Sequence, residues 1–225
     1  MAPITTLLFD CDNTLVLSES LAFEACADLA NEILEARGIS DRLKSKYNYE
    51  MSAAELEGYV SKEEDKVIAK LKAALKPCEG VDEELVRLEK EGGYLMAVVS
   101  SSALRRLKAS VEKTDQAKYF GDRIYSAATS LEKPTSKPDP AVYLHAMQKL
   151  GVEPQECVAI EDSKSGATAA VRAGILTVGY VGSYEVGEQK EMEEVLRKAG
   201  CKVLMREWKE FKGILEKIQQ GGLEN

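Results

Sequence analysis

One stretch near the start of the chain limits the folds open to the rest: a predicted strand over residues 4–9, whose apolar end leads into Asp10 and Asp12. An apolar segment that ends in carboxylates before any helix begins is typical of a buried parallel strand whose carboxyl-terminal tip lies in a site. In open α/β sheets, ligands bind at that tip. The stretch therefore predicts an α/β protein with a functional site where its first strand ends.

The spacing of the two aspartates indicates what this site could do. Asp10 and Asp12 are two residues apart, so along an extended chain their side chains face the same side. Two crowded carboxylates repel each other unless a cation lies between them or one is protonated. The pair suits an oxygen-ligated cation such as Mg²⁺, and it suits a division of labour in which one carboxylate attacks and the other transfers protons. Taken alone, however, the motif favours a simple turn after a strand, because Asp and Asn are common in turns.

Three later strands are predicted to lead into polar side chains too. They cover residues 94–99, 123–126 and 157–160, and the helices predicted between them give the alternation expected of a parallel sheet. Because the carboxyl ends of parallel strands share one edge of a sheet, the side chains after these strands are expected to meet Asp10 and Asp12 there. These side chains are Ser100, Lys137, Glu161 and Asp162.

Each of these residue types has a role if the ligand is a phosphate. A carboxylate can accept the phosphoryl group, and a hydroxyl with the backbone amides that open a helix can hold phosphate oxygens. A lysine neutralises charge on both the nucleophile and the phosphate, and a second acidic pair completes an Mg²⁺ site. Singly, each residue is an ordinary strand-end serine, turn lysine or helix cap. Their joint occurrence at strand ends is what favours the functional interpretation.

The chain also predicts a second, helical unit. It has 225 residues, enough for one large domain or for a core with a small insert. Residues 18–37 and 52–75 have helical patterns, the second of which opens with a capping box, and no convincing strand lies near them. We therefore expect a catalytic core over residues 1–16 and 77–225 and a helical domain over residues 17–76.

Composition and charge exclude several classes of protein. The net charge is −8 and the basic residues are scattered, which argues against nucleic acid as a partner. No apolar run approaches the ~18 residues of a membrane span, and no secretory signal pattern is present, so no membrane association is expected. Five widely spaced cysteines predict a reduced, cytoplasmic protein. The oligomeric state is left open.

The histidine content argues against a serine–histidine triad. The chain has one histidine, His145, on a predicted helix, and no G-x-S-x-G elbow accompanies it. We therefore interpret His145 as an ordinary helix residue.

The strand-end residues lie in four short motifs: Phe9-Asp10-Cys11-Asp12-Asn13-Thr14, Val98-Val99-Ser100-Ser101-Ser102, Ser136-Lys137-Pro138-Asp139-Pro140, and Ile160-Glu161-Asp162-Ser163 followed by Gly166. In this order they resemble the motifs of the haloacid dehalogenase-like hydrolase superfamily, which includes phosphatases, phosphomutases and dehalogenases. The resemblance covers essentially the whole chain. It implies an α/β, Rossmann-like core with a mostly parallel sheet and a small all-helical cap inserted after the first motif.

The resemblance also implies a mechanism. Asp10 would attack phosphorus to form an aspartyl-phosphate, and Asp12 would protonate the leaving oxygen and then activate water. Mg²⁺ would be held by the Asp10 side chain, the Asp12 backbone carbonyl and Asp162, with Glu161 assisting. The residues that would bind the phosphorylated substrate are Asn13, Ser100, Ser101 and Lys137.

Some positions depart from family patterns. Asn13 stands where Gly is common, and Leu17 replaces a frequent acidic hinge residue. Relatives that act as phosphoglucomutases carry a cap arginine in a Gly-x-Ser-Arg stretch and a histidine in the first cap helix. Here residues 46–52 lack that stretch, and Ala22 stands where the histidine would be.

The sequence therefore predicts a Mg²⁺-dependent phosphatase that acts on a small phosphorylated metabolite resembling a sugar phosphate. A β-phosphoglucomutase-like enzyme is the alternative. A binding or regulatory module on a disabled hydrolase fold is a third possibility. It is disfavoured because Asp10, Asp12, Lys137 and Asp162 are all present.

Overall fold

Six strands form the sheet in a computed structural model that describes residues 2–36 and 53–222. The strands are β1 (Thr6–Phe9), β2 (Leu95–Ser100), β3 (Ile124–Ser126), β4 (Cys157–Glu161), β5 (Leu176–Tyr180) and β6 (Val203–Met205). Their order is β3-β2-β1-β4-β5-β6, and every neighbouring pair is parallel. The strand that ends in Asp10 therefore lies inside the sheet, between the strands that end in Ser100 and Glu161.

The helices connect and cover the strands. They are α1 (Glu19–Ala36), α2 (Ala53–Ala74), α3 (Val81–Glu91), α4 (Leu104–Lys113), α5 (Ala117–Phe120), α6 (Ala141–Leu150), α7 (Lys164–Arg172), α8 (Val186–Ala199) and α9 (Phe211–Gln219). None of these helices, within the described ranges, is long and apolar enough to cross a membrane.

Both faces of the sheet are buried, which explains why its strands are apolar on both sides. Successive side chains of β1 alternate between two apolar clusters: Leu7 and Phe9 belong to one, and Leu8 to the other. Phe9 also contacts two aromatic rings, with centroid distances of 5.8 Å to Phe120 and 6.1 Å to Trp208. This packing fixes β1 just before Asp10.

Helices α1 and α2 lie between β1 and α3 in the chain, where the helical insert is predicted. The chain leaves the sheet and returns to it through adjacent segments: Val16 and Pro77 form an isolated antiparallel bridge, and Cys78 N–H donates to Leu15 O at 2.9 Å. The two helices pack against each other, and α2 also packs against α4. The insert thus begins and ends at one place beside the tip of β1.

The predicted fold class, an α/β Rossmann-like core with a mostly parallel sheet, is confirmed. The predicted strands agree with the observed ones within two residues, for example 94–99 against Leu95–Ser100. The four-residue helix α5 was not predicted. The expected capping box at Ser52 and the start of the second insert helix there lie outside the described residues, as does the 46–52 stretch compared with mutases.

Candidate active site

The tip of β1 places the first aspartate in the interior. Asp10 is 6 % exposed, and its backbone N–H donates to Ile160 O at 3.0 Å, which continues the pairing of β1 with β4. The chain then turns, with Leu15 N–H donating to Cys11 O at 3.0 Å. Asn13 adopts φ +58°, a left-handed conformation that Asn tolerates better than most residues. Asn therefore fits the position where glycine is common in the family.

Lys137 reaches the same point from the loop after β3. Its Nζ lies 2.5 Å from Asp10 Oδ1, 2.7 Å from Glu161 Oε1 and 2.8 Å from Val99 O. Burial alone would lower the pKa of Lys137, but the charges of Asp10 and Glu161 raise it above its ordinary value. Lys137 is therefore a buried, charged amine held between two carboxylates, whereas Lys133 is exposed.

Three carboxylates form a cluster next to this amine. Asp10, Glu161 and Asp162 each offer an oxygen, and these oxygens lie within 4.8 Å of one another. Burial raises the pKa of Asp10 to about 7; Lys137 opposes this rise, while Glu161 and Asp12 add to it. Burial, Asp10 and Glu161 likewise raise the pKa of Asp162. The cluster thus concentrates more negative charge than Lys137 balances.

The cluster fits a hard divalent cation. Glu161 is fully buried, and its Oε2 has no hydrogen-bond partner among the described residues. Gly166 leaves room for this carboxylate, because a Cβ at that position would lie 1.8 Å from Oε2. Three carboxylates are suitable ligands for Mg²⁺, and a cation would offset both their mutual repulsion and the unpaired oxygen.

Asp12 has a different set of partners. Its carboxylate accepts hydrogen bonds from Ser18 Oγ, from Ser102 Oγ at 2.7 Å and from Arg106 Nη2 at 3.1 Å, with Ser100 Oγ at 3.5 Å. Burial alone would raise the pKa of Asp12, but Arg106 and the hydroxyls of Ser18 and Ser102 hold it below its ordinary value. Its side chain is not part of the carboxylate cluster. The two aspartates therefore differ in their surroundings, which raise the pKa of Asp10 and lower that of Asp12.

Hydroxyl groups orient the two carboxylates at the end of β4, Glu161 and Asp162. Thr14 Oγ1 donates to Asp162 Oδ1 at 3.3 Å, and the Tyr184 hydroxyl lies 3.4 Å from Asp162 Oδ2. The Tyr143 hydroxyl donates to Glu161 Oε1. Such partners restrict the orientation of carboxylates that could bind a metal.

A cavity of ≈ 440 Å³ opens above these groups. On the helical side it is lined by Glu19, Ala22, Phe23, Cys26 and Glu63. On the sheet side it is lined by seven of the eight predicted site residues: Asp10, Asp12, Asn13, Ser100, Ser101, Lys137 and Asp162. The eighth, Glu161, is fully buried and does not line the cavity.

Some residues whose side chains bond the site carboxylates lie outside the four motifs and were not predicted: Ser18, Arg106, Tyr143 and Tyr184. They lie on helices or loops between the motifs, where nothing in the sequence separates them from ordinary surface or core residues. His145 was interpreted as an ordinary helix residue. It lies on α6 with its ring 5.9 Å from that of Tyr125, and it does not line the cavity.

The comparison with known families agrees with this geometry. A family model described as haloacid dehalogenase-like hydrolase matches residues 7–180. The chain belongs to this family. The predicted family is therefore confirmed.

Individual relatives are similar over most of their length. The 6-phosphogluconate phosphatase of Escherichia coli is 29% identical over 188 residues, covering 78% of this chain and 81% of the relative. A phosphorylated carbohydrates phosphatase of Thermotoga maritima is 29% identical over 227 residues, covering 94% and 98%. With the family match, these relatives show that the chain is an enzyme, a phosphoric monoester hydrolase. Among solved structures, a Thermotoga maritima protein with the provisional name β-phosphoglucomutase has a TM-score of 0.70 at 27% identity, covering 96% of this chain and 100% of that one.

Proposed function

We propose that this enzyme is a cytoplasmic, Mg²⁺-dependent phosphatase that hydrolyses a small, sugar phosphate-like metabolite through an aspartyl-phosphate on Asp10. The observation that carries the proposal is the contact of Asp10 Oδ1 with Lys137 Nζ at 2.5 Å, inside the carboxylate cluster at the strand tips. The two phosphatases among the relatives support the class of substrate.

Asp10 is the nucleophile in this proposal. Lys137 fixes one of its oxygens and neutralises charge that builds up as the carboxylate attacks phosphorus. Ser100, Ser101 and Asn13 line the cavity. In this proposal their polar groups hold the phosphate oxygens. Positioning by fixed donors accounts for most of catalysis in phosphoryl transfer.

Asp12 serves the leaving oxygen. In the free enzyme it is ionised, because Arg106 and two hydroxyls stabilise its charge. The negative charge of an arriving phosphate raises the pKa of Asp12, so its carboxylate takes up a proton from solvent and then donates that proton to the leaving oxygen. Once the alcohol has left, the carboxylate takes a proton from the attacking water.

The side chains of Asp10 and Asp162 and the backbone carbonyl of Asp12 would hold Mg²⁺, with Glu161 assisting. The ion would supply positive charge against the phosphate oxygens. Tyr184 and Thr14 keep Asp162 oriented for this task.

We also propose that residues 17–76 form a cap domain that selects the substrate, with residues 1–16 and 77–225 as the catalytic core. The bridge between Val16 and Pro77 marks the boundary between the two domains. Helices α1 and α2 line the side of the cavity opposite the sheet.

A phosphomutase is the alternative, favoured by the likeness to the provisionally named β-phosphoglucomutase structure. Among the described residues that line the cavity, however, the cations are Arg106 and Lys137 of the core, and the sequence of residues 46–52 has no Gly-x-Ser-Arg stretch. With a hexose 1-phosphate and Mg²⁺, we expect inorganic phosphate or no reaction. Accumulation of hexose 6-phosphate well above phosphate release would establish the mutase.

The decisive experiment is a screen of phosphorylated metabolites for Mg²⁺-dependent phosphate release, repeated with two variants. Asp10→Asn should abolish release from every substrate. Asp12→Asn should bind Mg²⁺ nearly normally, as measured by calorimetry, yet lose turnover, because only its backbone is a proposed ligand. Near-normal turnover in either variant would refute the mechanism. A folded wild type that releases no phosphate from any compound would instead favour the binding module.

A further inference from the structure

We infer that Arg106 binds a second anionic group of the substrate, so that the preferred phosphate esters also carry a carboxylate. The inference rests on the proposed phosphatase function, because it concerns the substrate of the same cavity. Arg106 is the third residue of α4, and its side chain lines the cavity next to Asp12.

Arg106 has more hydrogen-bonding capacity than its neighbours use. Its Nη2 donates to Asp12 Oδ1 at 3.1 Å, and its side chain is 21% exposed. Its Nε is buried without a hydrogen-bond partner among the described residues. A guanidinium has five N–H donors, and a buried donor without a partner is costly. The free protein therefore leaves a charged donor group partly unsatisfied inside its binding cavity.

The other cation of the cavity is already fully engaged. Among the described lining residues, the cationic ones are Arg106 and Lys137. An ammonium group has three N–H donors, and the three acceptors of Lys137 Nζ are Asp10, Glu161 and the carbonyl of Val99. Arg106 is thus the lining cation with donors available for a ligand.

The acidic residues on the helical side do not take up this capacity. Glu19 accepts a hydrogen bond from Asn13 Nδ2 at 2.5 Å, and Glu63 accepts one from the Cys26 thiol at 3.3 Å. Among the described residues, Arg106 forms an ion pair with Asp12 and with no other carboxylate.

The position of Arg106 suits the organic part of the substrate. Asp12 serves the leaving oxygen, so the carbon chain of the ester lies on the side of the cavity where Asp12 and Arg106 meet. A planar guanidinium binds carboxylate or phosphate with two parallel hydrogen bonds, which a neutral hydroxyl cannot reproduce. An acid should therefore be preferred over the corresponding alcohol.

Arg105, the preceding residue, provides a matched control. It is 61% exposed, and its Nη2 lies 2.7 Å from Asp65 Oδ1 on α2. It does not line the cavity. The two arginines have the same chemistry and adjacent backbones, but only Arg106 faces the cavity.

The test uses substrate pairs that differ only by a carboxylate against a hydroxymethyl group: 6-phosphogluconate with glucitol 6-phosphate, and phosphoglycolate with 2-hydroxyethyl phosphate. Wild type should favour the acid of at least one pair in kcat/KM by about tenfold or more, the factor for one good charged hydrogen bond. Arg106→Gln should remove this preference, and Arg106→Lys should restore part of it. Arg105→Gln should keep the wild-type ratio.

The ratio of kcat/KM for the acid to kcat/KM for the alcohol distinguishes direct binding of the substrate by Arg106 from an effect of Arg106 through Asp12. Asp12 acts on both members of a pair, so a role of Arg106 through Asp12 alone would lower both kcat/KM values equally and leave the ratio unchanged. That result would overturn the inference, as would a wild type without preference in both pairs.

The inference can fail separately from the proposed function. Dissociation constants of the same four compounds can be measured by calorimetry on Asp10→Asn, with and without Arg106→Gln, where no turnover is needed. Tighter binding of the acid that disappears with Arg106→Gln would support the inference even if the wild type released no phosphate. Equal binding of acid and alcohol would overturn it.

Discussion

Two ion pairs of similar length show how differently the core and the α1–α2 helices use charge. Lys137 lies 2.5 Å from Asp10, with side chains 4% and 9% exposed; Lys70 lies 2.9 Å from Asp28, with side chains 32% and 55% exposed. Losing one partner of a buried pair leaves an uncompensated charge and costs about 3–5 kcal/mol. An exposed pair is screened by water and salt and contributes little. Burial rather than distance therefore decides which charges matter.

The apolar contacts of the two regions complete the contrast. Helices α1 and α2 are joined through buried Ala25, Val67 and Leu71, so their surface ion pairs are not needed to hold them together. At the strand tips, apolar packing also fixes the backbone, through Phe9. The difference is that the charges there are buried, and we expect them to take part in the reaction.

The sharpest way to test this contrast is to remove the buried cation. Lys137→Met should lower kcat by about a hundredfold, or about 3 kcal/mol, because a positioned charge that stabilises the transition state is lost. Lys133→Met, the control, should stay close to wild type, since Lys133 is exposed and also precedes a proline. Rates are compared for the best substrate of the screen, after circular dichroism shows that each variant is folded.

The reverse ranking of the two lysines would mean that the third motif is centred on Lys133. Equal, small losses would mean that the contact between Lys137 and Asp10 does not take part in the reaction.

A smaller effect is expected from filling the space beside Glu161. In Gly166→Ala the added Cβ would lie 1.8 Å from Glu161 Oε2. This carboxylate cannot move freely, because Lys137 and Tyr143 hold its other oxygen. We expect a loss of about 1–3 kcal/mol in the free energy of unfolding, from overpacking, together with weaker Mg²⁺ binding. Denaturant titration and calorimetry measure the two quantities.

Gly187→Ala is the control for this substitution. Gly187 lies on α8, is exposed, and has no atom within 4 Å of an added Cβ. Its stability should be unchanged or up to about 1 kcal/mol higher, because alanine favours helices. If Gly166→Ala behaved like this control, the fixed position of Glu161 would be disproved.

The two arginines of α4 illustrate what the sequence could and could not predict. The strand tips were predictable because an apolar run that ends in polar residues has one interpretation in a parallel sheet, whose tips share an edge. Arg105 and Arg106 are adjacent on an amphipathic helix, where successive side chains differ by ~100° in direction. The sequence does not tell which of them faces the site. Tyr143 and Tyr184 were missed for the same reason, since their roles depend on how separate elements pack.

The two aspartates also show which features of the site could be predicted from the sequence and which could not. Their spacing predicted side chains on one side of the chain, and both line the cavity. The contact of Lys137 with Asp10 was expected from the shared edge of the strand tips, whereas Arg106, the partner of Asp12, lies on a helix and could not be derived from the spacing. The short helix α5 escaped prediction because four residues are too few to show helical periodicity.

The smallest effect is expected from removing the exposed ion pairs between α1 and α2. Lys70 of α2 contacts both Glu24 at 3.0 Å and Asp28 at 2.9 Å on α1. Lys70→Gln should shift the urea midpoint by no more than about 0.3 M at low salt, because the pairs are solvated and mobile. In 1 M NaCl, where the Debye length is ~3 Å, the difference from wild type should vanish. Lys62→Gln is the control, an exposed lysine of the same helix without an ion pair among the described residues. A large loss at low salt that disappears in 1 M NaCl would mean that the α1–α2 pair is held by charge, and that distance rather than burial determines the strength of these contacts.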